Sequence, residues 1–222
     1  TFRTELRVIS LLVENVSDTK ATQAAFVELG QRMGASRKES KHAFKEALRA
    51  QKEADEQRAQ HQEDVLKLMD EYRSIVAKDP ARTEQAPLSI LIVAHRYIAF
   101  DQYMAGDIIR SLTQLDCMPL FACETDHAKS YKASLDFSST MPWIISRELI
   151  GSILTLKDQV DGIILISAFP CGPDSMTDDA IMRCIRGVPI LNLMIDAQTG
   201  TAGVQTRLES FIDILQFQRR GG

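Results

Sequence analysis

The sequence predicts an α/β protein with a four-stranded parallel sheet, helices on both faces of the sheet, and an N-terminal long-helix hairpin or arm. Apolar residues recur at helical spacing over residues 1–80, and a short polar segment at 81–87 reads as a linker. Apolar runs then alternate with helical patterns over residues 88–222. Such alternation favours parallel strands joined by right-handed crossovers. We therefore expect a helical arm, a linker and a parallel α/β domain over these three ranges.

The N-terminal part contains one long helical pattern that follows a break at Gly34. Ser36 is a suitable N-cap residue, and Glu39 lies three residues later, as a capping box requires. The pattern continues until Pro80 ends it. Alanines are the only apolar residues over 51–62, where charges of both signs are balanced. We expect a helix of about 60 Å with a solvent-exposed middle, folded as a hairpin or docked on a partner.

Four apolar runs in the C-terminal part are predicted as strands: residues 88–94, 118–121, 162–167 and 188–195. The first run is almost continuously apolar, which is typical of a parallel strand buried on both faces. Helical patterns cover residues 104–115, 144–156, 177–186 and 203–218. Ligand sites of parallel sheets lie beyond the carboxyl ends of the strands. We therefore expect the functional residues in the segments that follow the four strands.

Composition argues against several classes of function. The formal net charge of −4 gives no general basic field for nucleic acid. No apolar run approaches the ~18 residues that cross a bilayer, and residues 1–5 lack the apolar core of a signal peptide. We expect a cytoplasmic protein with reduced thiols, no nucleic-acid partner and no membrane partner. The first residue is not Met, so we also expect the numbering to begin inside a longer protein.

Two of the four cysteines are candidate metal ligands because they follow predicted strands. Cys171 comes just after the third strand and shortly before a helix, whose N–H groups and dipole favour a thiolate. Cys123 follows the second strand among acidic residues, although a small buried apolar residue suits the same position. Cys117 and Cys184 are expected to fill space, since the first begins a strand and the second lies within a helix.

Two other strand exits provide candidate cofactor-binding residues: His95, Arg96, Tyr97, Asp196, Gly200 and Gly203. His95 directly follows the first strand, and Arg96 adds a fixed charge that suits a phosphate. Asp196 ends the fourth strand and precedes a glycine-rich turn that opens a helix, where a phosphate or carboxylate can bind. Loop ordering and helix capping explain the same residues without a ligand, and both interpretations remain open.

Three segments of the C-terminal part carry recognisable motifs. Residues 169–175 read Phe-Pro-Cys-Gly-Pro-Asp-Ser, and residues 195–211 contain Asp, Gly, Ala-Gly, Thr-Arg and Glu-x-Phe in that order. Residues 92–97 combine a strand with a His-x-Tyr pattern in which Arg96 stands where Pro is usual. Together these segments resemble the 2-hydroxyacyl-CoA dehydratase and activase-related family. The Cys-Gly-Pro-Asp motif is more similar to that of the activase-related branch than to that of the dehydratase subunits.

This resemblance implies a component of an anaerobic lyase system. In such systems an activator hydrolyses ATP and injects one electron into a cysteine-ligated [4Fe–4S] cluster, which allows radical dehydration of a 2-hydroxyacyl-CoA. By the resemblance, Cys171 is a cluster ligand. A cubane cluster needs about three or four protein ligands, whereas this edge offers Cys171 and Cys123. We therefore expect the other cluster-binding residues to come from sequence before residue 1 or from another subunit. The resemblance also implies acyl-CoA as a partner molecule.

Three hypotheses follow. In the first, the chain is a fragment of an activase-related or dehydratase-like protein that contributes one or two thiolate ligands to an iron–sulfur cluster, and it is incomplete as an enzyme by itself. In the second, it is a non-catalytic interaction or scaffold module that keeps the fold without a cluster. In the third, it is a CoA- or phosphate-binding domain that uses the turn from Gly200 to Gly203.

Overall fold

The computed structural model describes residues 8–13, 18–77, 87–168, 171–196 and 200–221. By compactness the chain divides into two units, Thr1–Glu56 and Gln57–Gly222. Most of the predicted linker at 81–87 lies outside the described residues, so the domain boundary expected there stays a prediction. In the described part of the chain, no helix combines the length and the apolar character that crossing a membrane requires.

The first unit begins its regular structure with helix α1, Thr19–Arg32. The Asp18 side chain caps this helix by accepting hydrogen bonds from the backbone N–H groups of Lys20 and Ala21, at 2.9 and 3.0 Å. Residues 8–13, before the cap, have no regular secondary structure. Helix α2, Arg37–Ala77, begins in the same unit and continues into the second.

The predicted capping box at the start of α2 is present. The Ser36 N–H donates to Glu39 Oε2 at 2.8 Å, and the Glu39 N–H donates to Ser36 Oγ at 3.2 Å. Between α1 and α2 the chain turns back through Gly34, whose φ of 99° favours glycine. The rings of Phe26 in α1 and Phe44 in α2 pack against each other, with their centroids 5.7 Å apart. The N-terminal long helix that the sequence predicts is therefore confirmed, and at its start it forms a hairpin turn with α1.

The second unit alternates strands and helices. Its strands are β1 Leu88–Val93, β2 Cys117–Phe121, β3 Gly162–Ala168 and β4 Ile190–Ile195. Its helices after α2 are α3 Arg96–Ala99, α4 Gly106–Gln114, α5 His127–Ala133, α6 Ile144–Leu156, α7 Gly172–Cys184 and α8 Thr201–Gly221, with short 3₁₀ turns at 122–124 and 134–136. All strand pairs are parallel, in the order β2-β1-β3-β4. The predicted α/β fold is confirmed.

The winding of the chain places helices on both faces of the sheet. The chain moves from β1 to β2 in one direction, then crosses β1 in the opposite direction to reach β3 and β4. With right-handed crossovers, α4 lies on one face and α6 and α7 lie on the other. Helix α8 packs beside α4, and α6 packs beside α7. The direction of winding changes between β1 and β3, so the carboxyl ends of these two strands flank the topological switch point.

The two central strands form the core, as the apolar run in β1 predicts. Ile90, Leu91 and Ile92 have no exposed surface, and Ile163 and Ile164 in β3 are equally buried. This burial on both faces fixes the sheet, so the loops beyond its carboxyl edge are held on a rigid base.

The start of α7 and the presence of α5 are the two largest differences from the elements that the sequence predicts. Helix α7 begins at Gly172 rather than at residue 177, because Pro173 occupies a first-turn position where its missing N–H costs nothing. Helix α5 was not predicted. Its packing is close, since a Cβ on Gly151 of α6 would lie 1.6 Å from the carbonyl oxygen of Ser130 in α5.

Candidate functional site

A group of polar side chains lies at the switch point between β1 and β3. His95 follows β1, and its Nε2 lies 2.8 Å from Oδ1 of Asp174 in the first turn of α7. The Tyr97 ring lies 5.5 Å from the imidazole, measured between ring centroids. Cys171 is the N-cap residue of α7. We name the group the switch-point cluster, and its members are His95, Tyr97, Ser167, Cys171, Asp174 and Asp178.

The cluster contains two buried carboxylates on one face of α7. Asp174 and Asp178 are 6% and 8% exposed, and their spacing of four residues makes them neighbours on the helix. Burial raises the pKa of Asp178 to about 6; the Asp174 charge adds to the rise, whereas the Ser167 hydroxyl and His95 oppose it. Among the described residues, Asp174 Oδ2, Asp178 Oδ2 and Ser167 Oγ are buried without a hydrogen-bond partner of normal geometry. Such atoms are uncommon in folded proteins and mark this site as unusual.

The Cys171 thiol is half-buried beside these carboxylates. The nearby backbone N–H of Asp174 acts to lower the pKa of the thiol, as expected for a helix N-terminus. Partial burial and the carboxylates of Asp174 and Asp178 outweigh that effect, so the pKa of the thiol is raised. The sulfur makes no side-chain capping hydrogen bond. In the absence of a metal, Cys171 is therefore a protonated thiol at neutral pH.

Tyr97 belongs electrostatically to the same group. Burial raises the pKa of its phenol, and the Asp174 carboxylate and the Cys171 thiolate that forms at high pH raise it further. Its ring is nevertheless 59% exposed, so one side of the phenol faces solvent.

Arg96, the first residue of α3, contacts Cys123, which follows β2, and both residues serve local packing. The Arg96 Nη1 donates to the carbonyl oxygen of Cys123 at 3.2 Å, and the guanidinium stacks 5.0 Å from the centroid of the Phe100 ring. Cys123 is 8% exposed, and burial is the main cause that raises the pKa of its thiol to about 11. These contacts give both residues a structural role. Their predicted roles in cofactor and metal binding stay predictions.

The other two cysteines lie away from the switch point. Cys117 is buried at the amino end of β2, and burial raises the pKa of its thiol to about 12. Cys184 is exposed at the last residue of α7. Cys171 is therefore the cysteine, of the four that the structure describes, that is both accessible and at the carboxyl edge of the sheet.

Asp196 lies at a different part of the same edge. It lines a groove of about 870 Å³ between α4 and α8, together with Met104, Ile108, Arg110, Gln205 and Leu208. Gly200 and Gly203 lie at the start of α8, and a Cβ added to either would meet nothing within 4 Å. Asp196 thus groups with α4 and α8, whereas Cys171 groups with α7. Because both residues follow strands of the same sheet edge, the sequence also predicts that they share a pocket, and that stays a prediction.

The described residues offer too few metal-binding side chains for an iron–sulfur cluster. Within the described ranges, no group of three or more His, Cys, Asp and Glu side chains is arranged to hold a metal ion. A cubane needs about three or four protein ligands, and the carboxylates beside Cys171 repel an anionic cluster. The described residues therefore do not form a complete cluster site, and the predicted role of Cys171 as a ligand stays a prediction.

The sequence prediction did not select three residues of the switch-point cluster: Ser167, Asp174 and Asp178. The spacing of the two aspartates would have indicated a common face if α7 had been started at Gly172. Ser167 is the next-to-last residue of a buried strand, where polar residues are uncommon.

Comparison with known proteins identifies the family. A search of curated proteins and a search of solved structures each found no significant match. The family model described as CoA enzyme activase uncharacterised domain (DUF2229) matches residues 2–123. The matched segment contains Cys123 and the residues around His95, whereas Cys171 and Asp196 lie beyond it. The match confirms the activase-related resemblance at a coarse level, while the likeness to 2-hydroxyacyl-CoA dehydratases stays a prediction. Because the match covers more than half of the 222 residues, the chain belongs to the CoA enzyme activase uncharacterised domain family.

Proposed function

We propose that this chain acts in the reductive activation of an acyl-CoA enzyme, and that it supplies Cys171 as one thiolate ligand of a shared iron–sulfur cluster. The family match supports a general activase-like role. The single observation behind the specific role is the position of Cys171, an accessible thiol at the topological switch point of a rigid parallel sheet. Soft thiolate sulfur is the ligand that iron–sulfur clusters require, and a bound cluster would supply one-electron transfer.

The remaining ligands would come from another segment or another subunit. The surface beside the thiol is open to such a segment or subunit, because Tyr97, whose phenol interacts electrostatically with Cys171, is 59% exposed. A segment or subunit bound there would also exclude water from the sulfur.

The protein's own residues control the proton on the sulfur. Because the pKa of the Cys171 thiol is raised, metal binding must displace a proton, and affinity for iron should increase with pH. The backbone N–H of Asp174 is placed to stabilise the resulting thiolate.

The test is anaerobic reconstitution of the full-length protein with ferrous iron and sulfide. We expect bound iron and a broad absorbance near about 400 nm from thiolate-to-iron charge transfer. The Cys171→Ser variant should lose both signals. Cys184→Ser is the matched control, because Cys184 is exposed at the far end of the same helix and should not affect them.

Two results would contradict the proposal. One is a folded, colourless wild-type protein, which would favour the interaction or scaffold module instead. The other is a Cys171→Ser variant that keeps its iron and its absorbance.

A second candidate function is the binding of CoA or another phosphate-bearing molecule. The groove that contains Asp196 supports it, since about 870 Å³ falls within the roughly 300–1,000 Å³ of small-molecule sites. Ile108 and Leu208 give it an apolar floor, and Arg110, which pairs with Asp107 of the same lining, places a cation at its rim. Saturating CoA should raise the melting temperature of the protein. Gln205→Trp should abolish the rise by filling the groove, whereas the exposed control Gln218→Trp should not. An unchanged melting temperature in the wild type argues against this function.

A further inference from the structure

The two outer strands of the sheet, β2 and β4, differ in how their free edges are protected. The short strand β2 carries Pro119 at its centre, and His61 and Val65 of α2 line the same small cavity as that proline. A proline on an edge strand and a covering helix both hinder pairing with another chain. In contrast, β4 contains neither a proline nor a charged residue over Ile190–Ile195.

The composition of β4 is that of an interior strand. Like β1, it is an apolar run with a single polar residue, which in β4 is Asn192. Such runs are typical of strands that lie inside a parallel sheet. Nevertheless, Ile190 and Leu191 are only half-buried, and Met194 is 43% exposed. The strand therefore has more apolar surface than its place at the edge requires.

The outer side of β4 presents the backbone groups of its even-numbered residues. The Ile163 N–H donates to the carbonyl oxygen of Pro189 at 2.9 Å, and the parallel register then directs the odd-numbered residues of β4 toward β3. The N–H and C=O groups of Ile190, Asn192 and Met194 therefore point away from the sheet. Within the described residues, their partner is Arg207 of α8, whose Nη2 donates to the Asn192 carbonyl oxygen.

We propose that the outer edge of β4 pairs with β4 of a second copy of this chain, antiparallel and about a two-fold axis at Asn192. The outward residues suit this symmetry, because apolar Ile190 and Met194 flank Asn192 on its two sides. Ile190 then lies opposite Met194 of the second copy, and the two Asn192 residues exchange backbone hydrogen bonds. A two-fold contact sets each charge near its axis against itself, and this strand has no charge.

The flank of α8 beside this edge is apolar and exposed as well. Ile214 follows Arg207 by seven residues, so both lie on the same face of α8, and Ile214 is 53% exposed. A second strand at the edge would extend the sheet beside that face and cover part of the isoleucine. Six strand residues and one helical side chain from each copy form a small interface. We therefore expect a weak dimer whose population depends on concentration.

This inference does not depend on the proposed function. In an antiparallel pair, the carboxyl ends of the two β4 strands point in opposite directions. The two Cys171 thiols then lie on opposite rims of the extended sheet, so this interface does not supply further ligands to a cluster at Cys171.

The test is sedimentation equilibrium of the full metal-free chain over about a hundredfold range of concentration, with a reductant present because Cys184 is exposed. Met194→Lys should weaken the dimer about a hundredfold, because two lysines enter one interface. Arg207→Ala should strengthen it about tenfold, because the Asn192 carbonyl oxygen becomes open to the second copy. Leu68→Lys is the matched control, since Leu68 is 57% exposed on α2, beside the opposite edge, and should leave the equilibrium unchanged.

Met194→Pro guards against a lysine variant that fails to fold. It removes an N–H that β3 does not use, so the sheet should remain intact, as β2 does with Pro119. The same change should abolish the dimer, because it deletes an outward donor and places a bulky ring on the edge.

Hydrogen exchange identifies the surface that forms the dimer. The N–H groups of Ile190, Asn192 and Met194 should be protected at high protein concentration and exchange readily at low concentration. Those of Leu191 and Leu193, which bond to β3, should be protected at both concentrations.

A wild-type chain that stays monomeric over the whole range overturns the inference, and so would another protein or segment found on this edge. A dimer that survives in folded Met194→Lys and Met194→Pro, or one that leaves the outward N–H groups of β4 unprotected, overturns it equally. Absence of a cluster in reconstitution would contradict the proposed function alone, because sedimentation is measured without metal.

Discussion

At the amino end of the sheet Asp161 is surrounded by donors, whereas at the carboxyl end Asp174 and Asp178 keep unpartnered oxygens. The Asp161 Oδ2 accepts hydrogen bonds at 2.7 Å from both the N–H and the hydroxyl of Ser89, and it lies 3.0 Å from Arg219. Burial alone would raise the pKa of Asp161, but the Ser89 hydrogen bonds and Arg219 outweigh it, so the pKa is lowered.

The two ends of the sheet therefore differ in whether the charge of a buried carboxylate is compensated. Asp161 is paired, and its charge stabilises the entry to β3. The two aspartates of α7 instead repel each other, and burial is the main cause that raises the pKa of Asp178 to about 6. A strongly shifted pKa occurs both in structural ion pairs and in functional sites, and it is the unpartnered buried oxygens beside an accessible thiol that make the carboxyl end the candidate site. Four substitutions test this contrast, beginning with the largest expected effect.

Asp161→Asn should destabilise the protein by about 2–4 kcal/mol at pH 7, because Arg219 and Arg73 would lose their carboxylate partner. The lowered pKa of Asp161 means that its contribution is present above its unfolded pKa and is lost as pH falls through the folded pKa. Urea denaturation measures the change. The neighbouring Asp158→Asn is the control, since its side chain is 82% exposed and should cost little. A loss for Asp161→Asn no greater than that of the control would mean that the amino end is not held by this network.

Asp178→Asn should change the free energy of unfolding in the opposite direction. It should stabilise the folded chain by about 2 kcal/mol at pH 7. The raised pKa of Asp178 means that its stabilising contribution is complete below the unfolded pKa and is lost as pH rises through about 6. Wild-type stability should therefore contain a decrease between about pH 4 and 6 that the variant lacks.

Urea midpoints across that pH range provide the measurement for Asp178→Asn. Asp179→Asn, a substitution of an ion-paired residue that is 60% exposed on the same helix, should keep the wild-type profile. If both variants follow the wild-type profile, Asp178 is not the strained carboxylate of the site.

Much of the fold could be predicted because burial leaves a pattern in the residues. The six residues of β1 are buried, and the apolar run alone located them. Helix α6 was predicted with its observed ends, 144 and 156, since its apolar residues continue around the helix. Helix α5 was missed because its seven residues, His127–Ala133, contain little apolar surface. The order of the strands also lay beyond the sequence, because no local pattern records which strand pairs with which.

The candidate site was predictable in part. His95 and Cys171 were selected because each follows a buried strand, a property of the chain alone. Their meeting through Asp174 depends on the start of α7 and on the pairing of β1 with β3, which are tertiary facts. The rise in the pKa of Asp178 depends on burial, which the sequence around Asp178 does not indicate.

The smallest effect comes from two buried serines, one near each end of the sheet. Ser89 Oγ donates to Asp161 at 2.7 Å and accepts from Arg73 at 2.8 Å, so Ser89→Ala should cost about 1–2 kcal/mol. Ser167 Oγ has no partner of normal geometry in the described part of the chain, so Ser167→Ala should cost less than about 0.5 kcal/mol.

The two serine variants remove the same atom from similarly buried positions, so differences in burial cancel in the comparison. Equilibrium urea unfolding of both, in one buffer at pH 7, gives the difference directly. Equal losses would show that Ser167 is as well bonded as Ser89, and the contrast between a satisfied amino end and an unsatisfied carboxyl end would fail. A near-neutral Ser167→Ala beside a costly Ser89→Ala would instead show that the carboxyl end keeps polar groups that the fold does not need.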